Sequence, residues 1–368
     1  MSATVISHPT LHEVPDQSGE SGRALHFVGS LPPELLINDS TAMQWFVDQA
    51  GDTDLLTLPC DQDPQWIVNW LVSLADVAAL QTVHTGDSTS YEDLPAYGLA
   101  PGHRLAPEDI ALRRASDVTA AMAARNRLSS DRDLPPHQVS VPNALDLSFF
   151  CFGGPKAALA HLSVFREAVL TDIRHIHDRW GDDVVFQLET PAVLVMFDRT
   201  PRQLWPALSF GLAHKTAQLI TGAPRSARWI LHLCHGDLAH EPLVEPRDLV
   251  PAVQFLNALH RRLNRLDYPM PTAHIPMCTG ITGPPTEPLF YRALQHLRTG
   301  IDIIAGLADE LHPEDSRTAL HLVESELGHR AIAVAAACGL GRRTTTAAEA
   351  NAALARELSR IHTDQPSS

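Results

Sequence analysis

Trp229–Leu266 reads WILHLCHGDLAHEPLVEPRDLVPAVQFLNALHRRLNRL. Its opening, Trp229–Cys234, is an apolar run of strand length, closed by Gly236 and polar residues. A polar loop follows, and then Pro246–Leu266 with helical spacing, Pro246 in the first turn and Glu245 just before it. This strand, loop and helix form a unit, and the same unit recurs along the chain.

Seven further apolar runs have strand character: Ala24–Leu31, Asp54–Pro59, Gln138–Pro142, Val184–Glu189, Ala273–Cys278, Asp302–Ala308 and Ala331–Cys338. Segments with helical spacing follow them, among them Pro64–Leu80, Pro201–Thr221, Pro313–Leu327 and Thr346–Ile361. Thr344, Thr345 and Thr346 offer N-caps for the last, with Glu349 placed to complete a capping box. Eight alternating units specify a parallel (β/α)8 TIM barrel over residues 23–362. Its main irregularity is the interval 81–136, expected as an insertion after the second strand at the active-site end, serving as lid or oligomer contact; Ile110–Leu128 within it is helical. Residues 1–22 and 363–368 are polar, rich in Ser, Pro and Gly, and expected to be disordered tails.

Bulk composition narrows the class. A formal charge of −15 disfavours a nucleic-acid or anionic-membrane partner. No apolar run reaches the ~18 residues of a membrane span, and the N-terminus lacks the basic and apolar segments of a signal peptide. The five cysteines are an odd, scattered set, which fits a reduced, cytoplasmic protein better than a disulfide framework.

In such a barrel the working residues stand where strands end. Here those ends carry Ser30, Asn143, Gln187, Glu189, His232, Cys234, Asp237, Cys278, Asp309, Cys338, Arg342 and Arg343. His232 and Cys234 lie two apart on a strand and so share a face. With Cys338 they make the ligand chemistry of a Zn2+ site. Cys278 and His274, four apart on the sixth strand, compete for the fourth place, with Asp237, His235, His240 and water as further candidates. Gln187 and Glu189 also share a face, and a carboxylate turned into a barrel mouth is costly to leave unpaired. A salt bridge to Arg342 or Arg343 is the structural alternative for Glu189.

Four segments carry a resemblance to the barrels of cobalamin-independent methionine synthase and uroporphyrinogen decarboxylase. VGSLPPE at Val28–Glu34 looks like the opening strand and turn of that superfamily. FQLETPA at Phe186–Ala192 looks like the synthase's IQIDEPA strand, with Glu189 at the Asp position and Thr190 in place of the Glu. HLCHGD at His232–Asp237 looks like the His-x-Cys zinc strand, and ACGLGRR at Ala337–Arg343 is similar to the strand whose Cys is the last ligand. The resemblance implies a single-barrel relative of the synthase's C-terminal domain. It departs from the pattern at AHIPMCTG, Ala273–Gly280, where the synthase's ligand Glu has no counterpart.

The activity this implies is zinc-dependent methyl or alkyl transfer to a substrate thiol that the metal activates as its thiolate. Its partners are then a small-molecule thiol and an alkyl donor, in a chain that is a candidate homo-oligomer. Glu189 is expected to hold a substrate ammonium or act as acid–base, and Asp237 to orient a zinc ligand. Arg342 and Arg343 are expected to grip a donor anion, with Ser30, Gln187 and Asn143 as further substrate contacts. Three competitors remain: a zinc lyase or hydrolase with Glu189, His235 or Asp309 as base, a metal-free decarboxylase-like enzyme, and a non-catalytic barrel.

Overall fold

The apolar runs pair edge to edge in the computed structural model, which describes residues 22–60, 63, 65–88, 90, 93–130, 133–236, 241–279 and 282–361. Its strands are β1 (Ala24–Leu25), β2 (Leu58–Pro59), β3 (Leu80–His84), β4 (Ala96–Leu99) and β5 (His137–Pro142). They continue as β6 (Val184–Thr190), β7 (Trp229–Leu233), β8 (Thr272–Pro276), β9 (Ile303–Ala308) and β10 (Ala333–Ala336). Eight form one sheet in the order β1-β10-β9-β8-β7-β6-β5-β2, every pairing parallel. The two ends of that order also meet. Leu25 N–H donates to Asp54 O at 2.7 Å, and Leu56 N–H to Leu25 O at 2.8 Å. The chain is a (β/α)8 barrel.

Around it run α1 (Asp39–Ala50), α2 (Trp66–Ser73), α3 (Arg114–Leu128), α4 (Ala144–Phe152), α5 (Pro155–Trp180) and α6 (Pro191–Asp198). Next come α7 (Trp205–Gly222), α8 (Val250–Arg265), α9 (Pro288–Tyr291), α10 (Pro313–Leu327) and α11 (Thr345–Arg360). The outer ring follows the contacts α1–α3–α5–α7–α8, then the 3-10 turn Arg292–His296, then α10 and α11, and back to α1.

Two local expectations shift. The helix that packs on the barrel after β2 is α3, not the segment Pro64–Leu80; within that segment α2 stands over the strand ends, joined to the antiparallel hairpin β3–β4. The elaboration after the second strand therefore comes before α3. At the C-terminus, α11 is capped by Thr344, whose Oγ1 accepts from Ala347 N–H at 3.2 Å, so Glu349 stands too far along to close a capping box. The expected tails fall outside the described residues except for Gly22. Among the described residues no helix is long and apolar enough to cross a membrane.

Strand alternation explains how the site is built. Val184, Phe186 and Leu188 of β6, and Trp229, Leu231 and Leu233 of β7, pack outward under the helices. Between them Val185 and Ile230 turn inward and join Ala24, Leu56, Ile304 and Ala333 in an apolar plug inside the barrel. One step further toward the C-terminal ends, the same alternation turns Gln187 and His232 inward. The plug thus gives way to a polar layer just beneath the C-terminal face of the barrel.

Candidate metal centre

The polar layer is held by a continuous set of hydrogen bonds. Gln187 accepts from His26 Nε2 at 2.9 Å through Oε1 and donates through Nε2 to Val28 O at 2.6 Å and Glu189 Oε1 at 2.8 Å. Thr57 Oγ1 donates to Gln138 Oε1 at 2.6 Å, and Gln138 Nε2 donates to Val28 O at 2.7 Å. His26, Thr57, Gln138 and Gln187 are buried and answered by partners, the condition for carrying polar groups in a core.

His232 and His274 settle one another's tautomers. His274 Nε2 lies 2.9 Å from Ala336 O, and a carbonyl only accepts, so that nitrogen carries the proton. Burial pushes the His274 ring down to about 4, which keeps it neutral and leaves Nδ1 as an acceptor. His232 Nδ1, 2.9 Å away, is then the donor, and its Nε2 is left without a proton. Burial, and then the neighbouring His274, also hold His232 well below the usual imidazole range. Its Nε2 is fully buried and has no hydrogen-bond partner among the described residues. A buried, bare ring nitrogen is a metal ligand in waiting.

Gly306 makes this pair possible. A Cβ there would sit 2.5 Å from His274 Nε2 and 2.8 Å from Ile275 O, so only glycine leaves room for the imidazole.

Cys234 lies two residues beyond His232 and faces the same way. Cys338 arrives from the loop after β10, which interlocks with the loop after β1. Leu340 N–H donates to Gly29 O at 3.2 Å, and Gly341 N–H to Ser30 Oγ at 3.2 Å. A Cβ on Gly339 would fall 2.6 Å from Gly29 O, so the two loops touch backbone to backbone. Gly29 and Ser30 take positive φ of 123° and 48° to make the turn.

The ligand atoms of His232, Cys234 and Cys338 all lie within 4.8 Å of one another. The two Sγ atoms are 3.8 Å apart, nearly twice a disulfide bond, and neither cysteine is in a disulfide. Two sulfurs at ~2.3 Å from a tetrahedral zinc are about 3.8 Å apart, so the spacing fits the metal. The donor set fits as well: two soft sulfurs and one imidazole.

The other candidates fall into three groups. Glu189 lines the cavity above the cluster, with Oε2 3.5 Å from His232 Nε2; Ser30 and Arg342 line it too. His274 and Gln187 support the site from below, and neither His274 nor Cys278 joins the three-atom group. Cys278 Sγ instead faces Gly306 O at 3.9 Å, and burial, then Asp309, raise that thiol far above its ordinary range. Asn143, Asp309 and Arg343 are placed elsewhere. Asn143 caps α4 by accepting from Leu145 N–H at 3.1 Å. Asp309 accepts from Leu311 N–H at 2.9 Å, and Arg343 is paired with Glu310 at 2.8 Å, both side chains buried. Asp237 and His240 lie outside the described residues.

The cavity at the mouth is about 180 Å3 and largely apolar, walled by Trp66, Ile67, Leu71, Leu94 and Phe150. Its polar groups sit at the floor and rim: Glu189, Cys234, Cys338, Ser30 and Arg342. A more open groove of about 820 Å3 runs outside α2 along the β3–β4 hairpin and shares Gln65, Val68 and Arg342 with the cavity. The wall from α2 and the His26 contact beneath Gln187 escape sequence reasoning. His26 had a signal, an inward position two residues before Val28, whereas α2 is placed by tertiary packing alone.

No family model matches the sequence, and no curated protein matches it. Among solved structures, the chain is similar to a methyltransferase from Methanosarcina mazei, with a TM-score of 0.54 and 11% identity over 92% of this chain and 94% of that one. It is also similar to a candidate vitamin-B12-independent methionine synthase from Listeria monocytogenes, with a TM-score of 0.50 and 13% identity over 93% of this chain and 98% of that one. At such identities the likeness is one of fold: a barrel that runs nearly the whole length of both neighbours.

Proposed function

We propose that this chain is a zinc-dependent transferase that carries a methyl or other alkyl group to a small-molecule thiol. The observation that carries this is the convergence of His232 Nε2, Cys234 Sγ and Cys338 Sγ at the floor of an apolar cavity. Three protein ligands leave a place for a substrate atom, the arrangement of a catalytic zinc rather than a structural one. Zinc bound there would supply the positive charge that stabilises a thiolate at neutral pH. The names of the two solved neighbours, a methyltransferase and a candidate methionine synthase, point the same way.

The chain's own residues do the rest. Trp66, Ile67, Leu71, Leu94 and Phe150 exclude water, which would compete with a thiol for an alkyl group. Glu189, held by Gln187 Nε2, sets a carboxylate oxygen beside His232 where it takes the proton a thiol loses. Arg342 brings a guanidinium to the junction of cavity and groove, a charge that suits a carboxylate or phosphate on either substrate.

Elemental mass spectrometry on protein purified under reducing conditions tests the site. One zinc per chain in the wild type and its loss in His232→Ala are expected, after which thiols become the acceptor screen. A wild-type protein without metal sinks the proposal.

A further inference from the structure

We propose that the outer seam between α7 and α8 docks an acidic segment of a partner protein that carries an apolar anchor, at a surface independent of the zinc site. The two helices pack side by side in the ring around the barrel. Their sequences, WPALSFGLAHKTAQLITG and VPAVQFLNALHRRLNR, hold none of the chain's 43 acidic residues. In a chain of formal charge −15 this is a local inversion of sign. Elsewhere in the ring arginines meet carboxylates. Arg317 pairs with Glu314 and Glu357, each at 2.7 Å, and Arg174 pairs with Glu167 at 2.6 Å.

Two stripes line a groove of about 280 Å3 along this seam. Pro206, Phe210 and Ala213 form the stripe on α7, and Arg261, Arg262 and Arg265 form the one on α8. Both follow the spacing of three and four that keeps residues on one helix face. Phe210 is 63% exposed, so an aromatic ring stands in water beside three guanidinium groups. Burial, then Arg262, Lys215 and Arg166, hold the His214 ring below its ordinary range, which places these cations close together. Among the described residues Lys215, Arg261, Arg262 and Arg265 form no ion pair, and Arg262 Nε is buried without a hydrogen-bond partner. The helix dipole accounts for cations in the last turn of α8. It does not account for a facing helix that offers them no carboxylate, or for the exposed ring beside them.

These features fix the chemistry of the occupant. Guanidinium groups pair with carboxylates through two parallel hydrogen bonds, so the basic stripe selects Asp or Glu. An apolar side chain covers Phe210, and aromatic rings with arginines are the usual anchors of protein interfaces. The groove is concave and takes a side chain or two, which suits a protein segment better than a flat lipid surface. The net charge of the chain also repels an anionic membrane or nucleic acid as a whole. A second copy joined through this face about a two-fold axis would set arginine against arginine. The seam lies apart from the barrel mouth, because none of its residues lines either cavity there.

A random-peptide display library selected against the full chain provides the test, beside the variants Arg261→Glu/Arg265→Glu and Phe210→Ser. All three side chains are exposed, so both variants are expected to keep native circular dichroism. The wild type is expected to enrich peptides with several Asp or Glu residues around one apolar residue. By fluorescence anisotropy those peptides bind the double variant ~10-fold or more weakly, bind Phe210→Ser more weakly than wild type, and lose affinity as salt rises. A counterpart peptide with lysine at every acidic position is expected to prefer the double variant to the wild type. The absence of an acidic consensus, or equal affinity of the selected peptides for wild type and double variant, overturns the proposal. Vesicles containing phosphatidylserine that bind the wild type and not the double variant, with no acidic peptide enriched, overturn it in favour of an anionic lipid surface.

Discussion

His232 Nδ1 and His274 Nδ1 lie 2.9 Å apart, their rings tilted at 38° with centroids 4.6 Å apart. Because Ala336 O fixes the proton on His274 Nε2, the contact runs one way and presents His232 Nε2 bare to the cluster. His274→Ala removes the acceptor and frees His232 to change tautomer. Zinc affinity is expected to drop ~10- to 100-fold, the usual cost of losing a group that orients a ligand. His274→Asn, whose carbonyl still accepts, is expected to recover part of it. Chelator competition on the three proteins checks this, and equal affinities would show that the pair does not set the ligand.

Gly306→Ala attacks the same pair from behind. The new methyl would meet His274 Nε2 at 2.5 Å and the Ile275 carbonyl at 2.8 Å, and backbone does not yield as a side chain does. Overpacking of this kind costs about 1–3 kcal/mol, so a lower urea midpoint is expected together with weaker zinc binding. A loss of stability with zinc affinity unchanged would mean that His274 can move without disturbing His232.

Cys338→Ser should empty the site while leaving the barrel folded. Cys338 is partly exposed and follows β10, so little apolar burial is lost with its sulfur. A hydroxyl is a poor ligand for zinc beside a thiolate. Metal content is expected to fall from about one per chain to near zero, with far-ultraviolet circular dichroism unchanged. Full zinc retention in the variant would remove Cys338 from the site.

The barrel was legible because β6 to β9 are buried on both faces and read as near-continuous apolar runs. His232 and Cys234 were legible for the complementary reason, that two polar or reactive groups spaced by two in such a run share the inward face. β1 is shorter than the apolar run Ala24–Leu31: Phe27 and Leu31 leave the ladder to pack with Met43 and Phe46 of α1, and apolar content does not tell a strand from a loop under a helix. Asn143 and Arg343 are likewise polar residues at strand ends. What separates them from Glu189 is a local partner, Leu145 N–H for one and Glu310 for the other, and such pairings belong to the folded chain.

Asp146, a buried carboxyl at the start of α4, makes a prediction about pH. Its Oδ1 accepts from Ala192 N–H at 2.5 Å, while Oδ2 is buried without a hydrogen-bond partner among the described residues. Burial raises its pKa from 3.8 to about 8, against the opposing pull of the Ala192 amide. Below about pH 4 the carboxyl is protonated in both folded and unfolded chains and contributes no pH dependence. Between 4 and 8 the unfolded chain gives up the proton and the folded one keeps it, so this group lowers stability as pH rises, by on the order of 1 kcal/mol per unit. Above 8 the penalty is complete. Asp146→Asn keeps an oxygen for Ala192 N–H and cannot ionise, so its stability relative to wild type should grow steadily from pH 5 to pH 8. Urea midpoints of the two proteins across that range measure the difference directly, since groups common to both cancel. Parallel curves would mean that Asp146 ionises in the folded protein as readily as in the unfolded chain, and that water reaches Oδ2.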